Sequence, residues 1–291
     1  MSDVSTLSPA FVVEDAAALS GTDLSRCILL VTAGSHQFSY VVLDPLNNLF
    51  ICLKSYQYGS SPGKEMFPEM LARCIGGDEL LHAAFGEIRL GLDEPVHTLV
   101  PRAYFQPGRR RDYLSFLFGE RPELAVRHDL LTATDAVNVY GIDNRLLEQL
   151  KETFPGAKVI HTETAWLSSL LKEHGAETGK QLYLRILPQR LTLTLLEKDK
   201  LLYHQTFFFQ HELDVVYHTL QVCREYGLDP AAAAVRIGGE VAADAKVCRE
   251  LAACLPRMGW LDRPSGFHYG EPFSRYPAHH FYSQLALAVC G

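Results

Sequence analysis

The sequence contains no apolar stretch approaching the ~20 residues that a membrane-spanning helix requires, so no membrane insertion is expected. Its opening, MSDVSTLSPAFVVEDAAAL, lacks the basic start of a secretory signal and carries acids where a signal is apolar. Positive charge is not in surplus: 27 Lys and Arg stand against 34 Asp and Glu, a net charge of −7. That balance argues against a nucleic-acid partner or an anionic-membrane surface. The one dense basic cluster, Arg109-Arg110-Arg111, opens an expected helix and reads as a solvated face. The seven cysteines are odd in number, form no C-x-x-C pair and sit mostly in apolar runs. A disulfide framework is thereby excluded, and a reducing, cytoplasmic location is expected. Cys290 is followed only by Gly291, so it forms no prenylation box.

Chemical signatures are equally scarce. There is no G-x-S-x-G elbow, no G-x-x-x-x-G-K-[ST] loop and no G-x-G-x-x-G fingerprint. Among the twelve histidines, His279 and His280 are adjacent and would point about 100° apart on a helix. Of His204, His211 and His218, only the last two share an expected helix, two turns apart. No metal site is expected.

What is present is ample core material. Hydrophobic residues make up 47% and charged residues 21% of 291 residues, which suits two globular domains. After an irregular or partly extended lead-in (1–25), three β-rich runs follow with tight connections: 27–34, 36–44 and 49–58. Helices are expected over 63–75, beginning near Pro68, and over 78–85. A strand cut by Pro101 (97–105), a helix (109–119), a strand (135–142), a helix (144–154), a strand (157–162) and a helix (163–175) come next. The polar stretch 174–180 is the best boundary. The pattern then restarts with strands at 181–187, 190–198 and 200–209, a helix at 212–227, a strand at 234–240, a helix at 242–255, a short strand at 257–261 and a terminal helix. Phe207-Phe208-Phe209 cannot all face one core, because strand side chains alternate.

Both halves thus read β-β-β-α followed by alternating β and α, the order of a ribonuclease-H-like unit used twice. The expected organisation is a lead-in (1–25), an N-terminal ribonuclease-H-like lobe (26–177) and a C-terminal one (178–291). An α/β chain of two such lobes resembles the actin, sugar-kinase and heat-shock ATPase architecture. In layout it is similar to pilus-assembly and type II secretion actin-like proteins, through the meander LYLRILPQRLTLTLLEKDKLLYHQTFFF (182–209). Through FSYVVLD (38–44), HTLVPRAYF (97–105), that meander and YPAHHFYSQLALAVCG (276–291), the whole chain resembles the bacterial family DUF3822, a domain of unknown function.

The resemblance implies a nucleotide cradle with a glycine and an acid on each of two hairpins, the acids serving Mg²⁺. In the first hairpin, Gly34 and Ser35 keep the shape of a phosphate loop, but Thr32 stands at the acid position. In the second, Arg185 replaces the acid, Leu187 replaces the glycine and Pro188 removes a backbone donor. Gly238-Gly239 stand where the superfamily has paired glycines on the adenosine side; a plain strand-to-helix turn needs them equally. Gly34, Ser35, Gly238 and Gly239 are therefore expected to line a vestigial nucleotide cleft, with no catalytic residue, no metal and no cofactor. Other acids that could serve are Asp44, which also suits a turn before Pro45, and Glu163, which also suits a helix start.

The expected function is a non-catalytic, pseudo-ATPase adaptor or assembly component with a protein partner. The alternative is an active ATPase or small-molecule kinase using ATP and Mg²⁺. Members of the family are often encoded beside a ribosomal RNA methyltransferase, so the resemblance implies, as a weaker alternative, an accessory role linked to ribosomal RNA modification. The acidic net charge opposes direct RNA binding.

Overall fold

The computed structural model describes residues 8–34, 37–58 and 67–290. They fall into two compact units. The first holds the chain up to Ser168 together with Gly266–Arg275 and the stretch from Gln284; the second holds Ser169–Ser265 and Tyr276–Ser283. Both units are discontinuous in sequence, unlike the continuous spans 26–177 and 178–291.

In the first unit the lead-in is partly regular: β1 (Phe11–Glu14) is followed by α1 (Ala16–Gly21), whose first turn is capped by Asp15 accepting from Ala18 N at 3.0 Å. The meander comes next, β2 (Ile28–Gly34), β3 (Gln37–Asp44) and β4 (Leu49–Gln57). Asp44 shapes the β3–β4 turn by accepting from Leu46 N at 2.9 Å and Asn47 Nδ2 at 2.6 Å. Then follow α2 (Phe67–Gly76), β5 (Glu87–Asp93), β6 (His97–Pro101), α3 (Arg110–Phe118), β7 (Leu124–Leu131), β8 (Ala136–Asp143), α4 (Asn144–Thr153), β9 (Lys158–His161) and α5 (Thr162–His174), whose residues from Ser169 on belong to the second unit.

The main sheet runs β1-β4-β3-β2-β5-β9, with β2, β5 and β9 parallel. Every residue of β2 and β3 is buried, as expected for strands covered on both faces. Leu29, Val31 and Ala33 pack into a core with Leu71 and Cys74 of α2 and Leu147 and Leu150 of α4. A separate three-stranded antiparallel sheet, β6-β8-β7, packs Val100, Val137 and Val139 against Leu114 of α3.

The second unit comprises β10 (Lys180–Leu187), β11 (Arg190–Glu197), β12 (Lys200–Phe208), α6 (Glu212–Glu225), β13 (Ala234–Gly238), α7 (Lys246–Cys254) and β14 (Met258–Trp260). Its sheet runs β12-β11-β10-β13-β14, with β10, β13 and β14 parallel. Leu182, Leu184, Leu191, Leu193 and Leu195 face α6 and α7 through Val215, Cys223 and Leu251. The order matches β4-β3-β2-β5-β9 strand for strand, so the repeat of elements read from the sequence is a repeat of topology.

The last elements are β15 (His268–Tyr269), which pairs with β4, and the short α8 (Tyr282–Ala286). The terminal segment is not one continuous helix, and it is divided between the two units. From Gln284 it belongs to the first, where Arg89 Nη1 donates to the carbonyls of Leu287, Ala288 and Cys290 at 3.3, 3.0 and 3.0 Å. Three strands, β5, β7 and the two-residue β15, lie where the sequence reading places none. The expected helix over 78–85 is a single tight turn, Glu79–His82, held by Asp78.

Candidate functional site

The two hairpins that would cradle phosphate belong to different units and are described in turn. In the first, Thr32 is buried and sits opposite Ser39 of β3 and Gly91 of β5. The parallel register of β2 and β5 places Gly34 beside Asp93. A Cβ on Gly34 would lie 2.6 Å from the Asp93 carbonyl oxygen, so strand packing alone demands a glycine there. Ser35 lies outside the described residues.

In the second, β10 turns into β11 through Pro188 and Gln189, the latter at φ +57. Arg185 is 1% exposed, and its Nη2 donates to Thr192 Oγ1 at 3.0 Å. Thr192 Oγ1 in turn meets Thr206 Oγ1 at 2.9 Å, and one strand position along the same face Thr194 Oγ1 meets His204 Nδ1 at 3.0 Å. A guanidinium and a ladder of hydroxyls therefore occupy this sheet face, at the position where the family resemblance leads one to expect an acid. The turn offers one backbone donor fewer than usual because of Pro188.

Gly238 pairs with Arg185 at the end of β13. Gly239 has φ +104, and a Cβ on it would run into the carbonyl oxygen of Ile186. Its N–H donates to the His279 carbonyl at 3.0 Å. The His279 ring is fixed by Nε2 against the Val241 carbonyl at 2.9 Å and by stacking on Trp260 with centroids 4.1 Å apart. Burial holds the His279 ring below the ordinary histidine pKa, which keeps it neutral. Gly239 is accounted for by a left-handed turn pressed against β10.

Acids are nevertheless buried in the first unit, around the carboxyl ends of β5 and β9. Asp93 accepts from Thr162 Oγ1 at 3.0 Å. Asp129 of β7 accepts from His161 N at 2.7 Å, Thr164 Oγ1 at 2.9 Å and Tyr140 Oη at 3.1 Å. Burial pushes Asp129 above the ordinary carboxylate pKa, with those hydrogen bonds pulling the other way. His161 Nε2 faces the Glu94 carbonyl at 2.8 Å and must donate, which leaves Nδ1 to accept from Glu163 N at 3.1 Å. His161 is thus a neutral ring in one tautomer. Glu163 itself is buried in the first turn of α5.

The sequence matches the profile of the family described as "Protein of unknown function (DUF3822)" over residues 17–256. The chain belongs to the DUF3822 family. Among solved structures, this DUF3822 protein is similar to a protein of unknown function with an actin-like ATPase fold from Bacteroides thetaiotaomicron. The TM-score is 0.76 at 15% identity, covering 91% of this chain and 96% of that one. It is also similar to a chain of the PilM–PilN type IV pilus biogenesis complex, with TM-score 0.57 at 13% identity over 90% of this chain and 98% of that one. Among curated proteins, none matches it in sequence. The DUF3822 chain has the actin-like ATPase fold.

Of the residues singled out in the sequence of this DUF3822 protein, Gly34 lies in the first unit and Gly238 and Gly239 in the second. Asp44 is a turn former, and Glu163 opens a helix. The residues that sequence reasoning passed over are Asp93 and Asp129, because β5 and β7 went unread. Their signal is the alternation of Ile88, Leu90 and Leu92, interrupted to the eye by Gly91, and the apolar ends of LAVRHDLL. Among the described residues, no group of three or more His, Cys, Asp or Glu could hold a metal ion, and no helix is long and apolar enough to cross a membrane.

Proposed function

We propose that this DUF3822 protein is a non-catalytic member of the actin-like fold that works by binding a protein partner, as an adaptor or assembly component. Arg185 carries the reading. A buried guanidinium tied to Thr192 replaces a metal-positioning carboxylate, and one side chain cannot serve both roles. Three further observations support it. Thr32 is uncharged, Pro188 lacks an N–H, and the Gly239 N–H is already engaged by His279. ATP and Mg²⁺ do not fit this set of residues, and no chemical step is derived through them. The PilM–PilN complex is a case of a chain with a similar fold held in a complex, which is the mode of action proposed here.

Asp93 is the observation that favours a second reading, an ATP-dependent enzyme. It is a buried carboxylate beside Gly34, although its side chain is engaged by Thr162.

Calorimetric titration with ATP and ADP, with and without Mg²⁺, separates the two. The expected result is no saturable heat at about millimolar nucleotide, a free energy weaker than about −4 kcal/mol. Saturable binding in the micromolar range, followed by turnover, would overturn the proposal.

A further inference from the structure

The three-stranded sheet β6-β8-β7 has two outer edges, and the chain treats them differently. At β6 the bonds from Gly141 N to the Val96 carbonyl and from Arg102 N to the Asp135 carbonyl, both 2.9 Å, fix the phase of pairing. His97, Leu99 and Pro101 therefore face away from β8. The His97 N–H turns back to the Pro95 carbonyl at 3.2 Å and Pro101 has none. Only Leu99 could donate to an incoming strand, so the edge is closed to further pairing.

β7 is the opposite. Its eight residues pair with β8 one to one, without a register shift, a bulge or a proline. The bond from Asn144 N to the Glu123 carbonyl at 3.2 Å fixes the phase here, so Val126, His128 and Leu130 present their N–H and C=O groups outward. Among the described residues no strand pairs with this edge. Leu130 is 53% exposed on it.

The surroundings of the edge are cationic. Arg111 donates to the carbonyls of Arg121 at 3.1 Å and Leu124 at 3.0 Å, which marks where the open edge begins. Arg110 Nη1 lies 3.5 Å from His128 Nδ1 on the α3 side, whereas Arg127, on the other face, is matched there by Asp129 and Tyr140. The nearby acids are engaged elsewhere: Glu123 with Arg121 at 2.9 Å, Asp112 with Arg109 at 2.8 Å, and Asp129 turned inward to His161 N. An arginine-lined edge on a chain of net charge −7 is a local reversal of sign. It selects a carboxylate-bearing ligand from among the polypeptides that could pair there.

The geometry points to β7 as the docking edge for an extended segment of a protein partner. The segment adds as a fourth strand, placing a carboxylate against Arg110 and His128 and an apolar side chain against Leu130. This deepens the adaptor reading and rests on it for its role, but it does not depend on the absence of nucleotide binding.

The test uses the full chain and a phage-displayed library of random peptides, about twelve residues long, enough to span β7 at roughly 3.3 Å per residue. Selected peptides are expected to carry an acidic and an apolar residue two positions apart, on the strand face that meets His128 and Leu130. They should slow amide exchange at Val126, His128 and Leu130, and lose about tenfold or more in affinity to Arg110→Glu. His128→Pro should abolish binding; since it also strains the sheet, Arg110→Glu, on α3 and outside the sheet, is the variant that decides. Protection confined to α3 and the groove lined by Thr98, Val100, Tyr113 and Phe116 would overturn the assignment. So would affinity unchanged in Arg110→Glu, or the recovery of no saturable binder. Nucleotide binding would sink the preceding proposal and leave this result standing.

Discussion

The backbone N–H of Gly239 donates to the carbonyl oxygen of His279 at 3.0 Å, 40 residues further along the chain. That bond joins the turn after β13 to the segment Tyr276–Ser283, and both belong to the second unit. On the other side the turn lies so close to the Ile186 carbonyl that a Cβ on Gly239 would run into it. Gly239→Ala should therefore cost about 3 kcal/mol or more, from a disfavoured φ together with a backbone clash. A fall in the urea midpoint at unchanged slope would show it. A variant as stable as the parent would mean that the turn is free to move and that packing does not demand the glycine.

Arg185 gives a prediction of opposite shape. Arg185→Met keeps the volume, and Thr192 keeps Thr206 as a partner, so stability should change by no more than about 2 kcal/mol. Arg185→Asp puts a carboxylate into the same buried place and should cost about 3 kcal/mol or more. Thermal unfolding of the two variants side by side is the check. If aspartate is tolerated and gains Mg²⁺-dependent nucleotide binding, the proposed loss of the cradle is wrong.

Asp78 and Asp129 should move stability with pH in opposite directions. Burial raises the Asp78 pKa, but Tyr40 (2.6 Å), Tyr56 (2.8 Å) and Lys54 (3.1 Å) more than reverse this and hold it below the ordinary value. A lowered native pKa contributes stability that is present above the unfolded value of about 3.9 and is lost as pH falls through the native one. Asp78→Asn should cost about 2 kcal/mol at neutral pH and flatten the acid limb of the stability curve. An acid limb identical to the parent's would assign the low-pH loss to other carboxylates.

Asp129 has its pKa raised by burial. Its contribution is full below about pH 3.9 and is lost as pH rises through the native pKa. Asp129→Asn keeps an acceptor for His161 N and Thr164 and presents an amide to Tyr140. It should be within about 1 kcal/mol of the parent at neutral pH, whereas Asp129→Leu should lose about 3 kcal/mol by leaving those donors unmet. Chemical denaturation at pH 7 decides between this and a required negative charge.

Arg89→Ala should release the carbonyls of Leu287, Ala288 and Cys290 together. We expect a loss of about 2 kcal/mol and faster amide exchange in the last residues, with β2 and β3 still protected. Uniform loss of protection over the whole first unit would show instead that Arg89 supports the sheet itself.

The meanders were legible because their side chains alternate and their turns carry punctuation: Pro45 and Asn48 in one half, Pro188 and Asp199 in the other. β5 was not, because Gly91 sits in its centre. That glycine is explained only by Leu287, whose Cδ2 would lie 2.8 Å from any Cβ there, and no local pattern encodes a neighbour nearly two hundred positions away. β7 was hidden by Arg127, His128 and Asp129, which break the apolar run. They are polar because of what crosses to them: Arg110 to His128, and His161 N to Asp129. At the candidate cradle, residue identities such as Thr32, Arg185 and Pro188 could be read directly. The carbonyl of His279 occupying the Gly239 amide could not, since a backbone acceptor leaves no trace in residue type.

The return of Gln284–Cys290 to the first unit also sets an order of events on the ribosome. β5 emerges about 200 residues before Leu287, a wait of roughly 10–40 s at ordinary elongation rates. Throughout that interval the slot beside Gly91 is open, and Arg89 faces none of the three carbonyls it will later hold. The unit begun first is therefore the one completed last, and its nascent form exposes an apolar notch to whatever escorts the growing chain.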